Sequence, residues 1–111
     1  MPLSEKVRIE VYLPDLPKQS YRDLLEAFDQ EFTHTFGGCT IIKGLDGSYL
    51  SRAGLKMQDK VSIIYTDIPL SLEENFEMVS RYTDNLRKAA YEALEEEAIL
   101  VAAQKVYHSE L

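Results

Sequence analysis

Tryptophan is absent from this chain of 111 residues, cysteine occurs once and histidine twice. A lone thiol, Cys39, closes no internal disulfide, which excludes a cross-linked secreted scaffold and favours a reducing, cytoplasmic setting. A zinc site would need His34, Cys39 and His108 to converge with a carboxylate, and no metal is expected. Positive charge is scarce too: 12 lysines and arginines stand against 19 aspartates and glutamates, a net charge of -7. With no cluster of cations, such a chain is not expected to bind nucleic acid or an anionic membrane surface. The longest apolar run, Ala98 to Ala103, is far too short to span a bilayer. The opening residues carry no apolar segment of the signal-peptide kind. A P-loop, Gly-x-Gly-x-x-Gly, His-Glu-x-x-His and Cys-x-x-Cys are all missing, so no cofactor and no catalytic residue is expected from motifs.

What is present is a soluble globular balance, 45% hydrophobic and 28% charged residues, enough for one domain over 1–111 with one small core. Val7 to Leu13 alternates, with Val7, Ile9, Val11 and Leu13 on one side and Arg8, Glu10 and Tyr12 on the other. That spacing predicts a strand with one face on a core, ended by Pro14 and Pro17. Tyr21, Leu24, Leu25, Phe28 and Phe32 recur at helical spacing. They predict an amphipathic helix to about Thr33, started at Pro17 or capped by Ser20 and closed by Gly37 or Gly38. A second strand is expected over 39–43. Gly44-Leu45-Asp46-Gly47 then reads as a hairpin turn. The return strand begins at 48–52, is interrupted at Ala53-Gly54 and runs on over 56–67. After Pro69, Ser71 and Glu74 form a capping box. A helix follows to about Glu95, with the stripe Leu72, Phe76, Val79, Tyr82, Leu86, Ala90 and Leu94. At this length it should outreach the sheet. A last strand is expected over 99–106.

The order strand, helix, hairpin, helix, strand predicts an α+β, ferredoxin-like split βαβ sandwich (βαββαβ). Its sheet is antiparallel, ordered 4-1-3-2, with two helices on one face. The other face is then partly apolar. Leu100, Ala102, Gln104 and Val106 face away from the helices if Ile99, Val101 and Ala103 face them, and one of Ile63 and Ile64 joins them. We expect self-association there, as a homodimer with Glu10 and Tyr12 at the contact and Arg8 of the other copy as partner to Glu10.

At Phe32-x-x-x-Phe36-Gly37-Gly38-x-Thr40, followed by Gly44-x-x-Gly47-x-Tyr49, the chain resembles a family of small uncharacterised bacterial domains with a Phe-Pro-x-Gly-x-Thr segment. Gly37 stands where that family has proline, and Tyr49 where it tends to have tryptophan. The resemblance covers the layout of residues 7 to 107. It implies the ferredoxin-like fold and no chemistry. Dimeric α+β barrel enzymes that work without a cofactor share the architecture, which is an analogy of fold alone.

Several side chains are candidates for binding. Glu10 lies on the open side of a central strand, where partial burial would make it a base. Tyr12, Tyr49 and Tyr65 offer area with a polar tip and could line a cleft, as could Tyr82. Arg52, beside Ala53-Gly54, suits an anion. His34, near a helix end, either contacts the helix dipole or serves as a base to Cys39. Glu92, Glu95, Glu96 and Glu97 make an acidic helix end, a docking face for a basic partner or a calcium patch. The leading expectation is a non-enzymatic homodimeric binding or regulatory domain with a small-molecule or protein partner. The alternatives are a small cofactor-independent enzyme acting on an apolar molecule and a structural adaptor using its acidic helix.

Overall fold

The structure, a computed structural model, describes residues 2–96 and 98–110. Its elements are β1 (Leu3–Pro14), α1 (Gln19–Phe36), β2 (Thr40–Leu50), β3 (Lys56–Ile68), α2 (Phe76–Leu94) and β4 (Leu100–Ser109). They form one antiparallel sheet ordered β2-β3-β1-β4, the ferredoxin-like arrangement that the pattern predicts. Val7, Ile9, Val11 and Leu13 of β1 are at most 1% exposed. Each such side chain contributes roughly 1.5–3 kcal/mol of burial free energy. Against them pack Ile64 and Ile68 of β3, the whole predicted stripe of α1, and Val79, Leu86, Ala90 and Leu94 of α2.

The helix ends shift. Ser20 is not the cap of α1: Arg22 donates its amide to the Lys18 carbonyl, so Ser20 already lies inside the first turn, and Lys18 caps without its side chain. At the other end α1 runs on to Phe36, where Gly37 takes a left-handed φ of 95° and donates its amide to Thr33. Ser71 does accept the Glu74 amide, at 3.4 Å, but the helix proper starts at Phe76, five residues later. Phe76, at its start, stays 65% exposed.

The hairpin differs most from expectation. Asp46-Gly47 is not its turn. β2 runs straight through that pair, with Asp46 opposite Lys60 and Gly47 opposite Asp59. The reversal comes at 51–55, where Gly54 donates to the Ser51 carbonyl and the Ser51 amide to Leu55. The irregularity lies instead between Ile42 and Leu45. There Lys43 and Gly44 face the single residue Ser62, and Gly44 has a φ of 75°. This is a β-bulge with glycine in the left-handed conformation. The reason is backbone pairing. β3 has 13 residues, and a turn at 46–47 would leave the start of that strand without a ladder partner. The hairpin therefore outreaches the helices, reversing the expectation for α2. β3 is about 43 Å long at ~3.3 Å per residue, whereas the 19 residues of α2 give about 28 Å. The molecule measures 47 × 28 × 25 Å.

Candidate functional site

Direct antiparallel partners share a face, so the register assigns every side chain of the sheet. With Val7, Ile9 and Val11 on the helices lie Val101 and Ala103 of β4 and Ile64, Thr66 and Ile68 of β3. On the open face lie Arg8, Glu10 and Tyr12 of β1, Val61, Ile63, Tyr65 and Asp67 of β3, Ile42 and Leu45 of β2, and Leu100, Ala102, Gln104, Val106 and His108 of β4. Ile63, not Ile64, is the isoleucine on the open face, since Ile64 is fully buried under the helices. Both helices pack on the other side and the hairpin continues in the plane of the sheet, so the described residues leave this face open.

Its centre is a paired charge cluster. Arg8 donates to Asp67 twice, Nε to Oδ1 at 2.8 Å and Nη2 to Oδ2 at 3.0 Å. Its guanidinium lies 4.2 Å from the centre of the Tyr65 ring. His108 Nε2 is 2.7 Å from Asp67 Oδ2. The Arg8 hydrogen bonds hold the Asp67 carboxyl below its usual range against the effect of burial, with His108 adding to them. Arg8 is therefore the partner of Asp67 in its own chain and is not left over for Glu10 of another copy. Glu10 is satisfied separately: Gln104 donates to Oε1 at 3.0 Å and the Tyr12 hydroxyl to Oε2 at 3.4 Å. Burial, then the Glu10 charge, pushes the Tyr12 hydroxyl up.

Three of the sequence candidates, Glu10, Tyr12 and Tyr65, meet at the middle of this face. Tyr49 stands on the outer part of β2, opposite Met57 and at the rim of the same face. There a concavity of about 330 Å³ opens between Tyr12, Tyr49, Val61 and Leu100. Arg52 lies in the exposed hairpin reversal, away from the centre. His34 is on the exposed side of α1 within 2.8 Å of Gln30 Oε1, behind the sheet. It does not meet His108 or Cys39. The Cys39 thiol donates to Asp29 Oδ1 at 3.2 Å, and burial followed by that bond pushes it up, the reverse of an activated thiolate. Tyr82 belongs to the helix pair, donating to Glu31 at 2.7 Å. Of the acidic helix end, Glu95 ends α2 with a left-handed φ of 54°, and Glu97 lies outside the described residues. Among the described residues no group of three or more His, Cys, Asp and Glu is placed to hold a metal ion. Asp67, which no pattern in the chain singles out, and its pairing with His108, considered only as a zinc ligand, are what sequence reasoning misses. The two residues stand 41 positions apart, and only their separate pairing to β1 brings them together.

No family model matches the chain, and no curated protein does. Solved structures do. CutA1 from Oryza sativa aligns over 97% of this chain and 85% of its own, at 16% identity and a TM-score of 0.59. CPII, a nitrogen regulatory PII-like protein from Thiomonas intermedia K12 determined with ADP, AMP and bicarbonate, aligns over 98% of this chain and all of its own, at 16% identity and a TM-score of 0.52. At that identity the likeness establishes the fold. It extends the ferredoxin-like part of the resemblance noted at residues 32–49 and leaves the motif itself without a match.

Proposed function

We propose that this chain is a non-enzymatic binding module that works as a homo-oligomer, a two-fold dimer in its simplest form, whose copies meet on the open face of the sheet. The observation that carries this reading is the apolar row across that face: Ile42, 40% exposed, and Leu100, 56% exposed, with Ile63, Ala102 and Val106 between and beside them. Burying such surface contributes about 25 cal/mol per Å², and a stable interface needs roughly 1,000 Å² in total. The polar groups in the row favour the same end. Arg8, Asp67, His108, Glu10 and Gln104 have partners within the chain. The centre of the face can then lose water without stranding an unpaired charge.

The enzyme and adaptor alternatives have less behind them. Glu10 is engaged by two neighbours, and burial and the bond to Asp29 push the Cys39 thiol up. The nucleotides bound to CPII do not transfer to the concavity by Tyr12, whose charged lining residue is an aspartate that repels phosphate. A reducing cytoplasm is the setting we propose, one in which Cys39 stays a thiol.

Sedimentation equilibrium, paired with native mass spectrometry of the protein as purified, tests the reading. Association at micromolar concentration supports it, and the masses give the number of copies. A monomer at high micromolar concentration overturns it.

A further inference from the structure

We propose that the concavity at the root of the β2–β3 hairpin binds a small organic cation, an amine carrying an apolar body. The proposal rests on the reading of the open face as a binding surface, and not on how many copies meet there. The cavity, about 330 Å³, is walled by Tyr12, Pro14, Tyr49, Val61, Ile99 and Leu100. That is within the size range of small-molecule sites. Its floor is closed by the approach of β2 to β3: a Cβ on Gly47 would come within 2.6 Å of Val61 Cγ2. The residue opposite Asp59 is this glycine, so no cross-strand side chain covers Asp59, which lines the cavity.

Asp59 is the formal charge in the lining. Its state differs from that of the other acids on the face. Asp67 holds Arg8 and His108, and Glu10 holds Gln104 and Tyr12. Asp59, half-buried, has no side-chain hydrogen bond or ion pair among the described residues. An unpartnered carboxylate on the wall of an apolar cavity attracts a cation more strongly than one in open water, since the effective dielectric is lower. The two tyrosine rings suit the same guest, offering stacking area and a face for positive charge. An anion of the same size meets repulsion from Asp59 and from the net charge of -7.

Isothermal titration of the full chain with 2-phenylethylamine, and with 3-phenylpropionate as the anion of matching body, tests the assignment. We expect saturable binding of the amine at one site per chain and none of the anion. Asp59→Asn, nearly isosteric, should weaken the amine at least about tenfold, the scale of a lost charged hydrogen bond. Asp46→Asn removes the same charge from the neighbouring register pair, whose side chains point off the cavity, and should change affinity less than about twofold. Trimming the wall with Leu100→Ala should weaken the amine several-fold, and because Leu100 also belongs to the apolar row, it is read beside the sedimentation of the same variant. Equal loss in Asp59→Asn and Asp46→Asn, binding of the anion as tight as that of the amine, or no saturation by about 10 mM amine overturns the site. Sedimentation of the same samples separates the two readings. A monomer that still binds the amine through Asp59 overturns self-association alone, and an oligomer indifferent to the amine overturns this site alone.

Discussion

Phe28 sits in the middle of the α1 stripe at 5% exposure, stacked 6.2 Å from Phe32. Phe28→Ala removes that burial and leaves a cavity, so it should cost roughly 3–5 kcal/mol in a denaturant melt. A loss below about 1 kcal/mol would assign it a surface role. Asp67 makes a prediction in pH. Its carboxyl is held below the ordinary value of 3.8 by Arg8 first and then His108. A depressed folded-state value means that its contribution to stability is whole above the ordinary value and is lost as pH falls through the depressed one. Asp67→Asn should therefore lower the urea midpoint at pH 7, and the gap to the parent should close between roughly pH 5 and pH 2. A gap that stays constant over that range would show that the cluster does not depend on the Asp67 charge.

Among the elements, the hairpin depends most on a single residue. Gly44 carries the positive φ that lets Lys43 and Gly44 face one residue of β3. A side chain there meets no neighbour, so the cost of Gly44→Ala is conformational, about 1–2 kcal/mol, read from thermal or denaturant unfolding. An unchanged midpoint would mean that the bulge is not held in this conformation. The bulge also sets which side chains of β2 reach the open face. Ile42 and Leu45 both lie there although three positions apart, which strict alternation forbids.

For the molecule as a whole, the two adjacent isoleucines of β3 separate association from folding. Ile64 is fully buried under the helices, and a charge at that position costs several kcal/mol. Ile64→Asp should unfold the chain. Ile63→Asp places the same charge on the open face. It should leave the circular dichroism spectrum unchanged while shifting the sedimentation equilibrium toward monomer. If Ile63→Asp associates as the parent does, the copies meet elsewhere.

Much of this architecture can be read directly from residue spacing. The alternation at 7–13 and the 3.6-residue stripe at 21–32 are local signals, because each side chain's direction follows from its own element's period. One covered sheet face and two crossovers then leave one economical topology, and β2-β3-β1-β4 is that topology. The uncovered face follows in outline by the same logic, down to Leu100, Ala102 and Val106. Its chemistry does not. Whether Asp46-Gly47 turns the chain or lies within a strand depends on what the 13 residues of β3 can pair with, which is a property of two strands together. Which of Ile63 and Ile64 faces out depends on register, since one step exchanges the faces. The Arg8–Asp67–His108 cluster draws on strands far apart in the chain, brought together by the pairing of β3 and β4 with β1, and the register of β3 against Gly47 of β2 leaves the unpartnered Asp59 at a cavity.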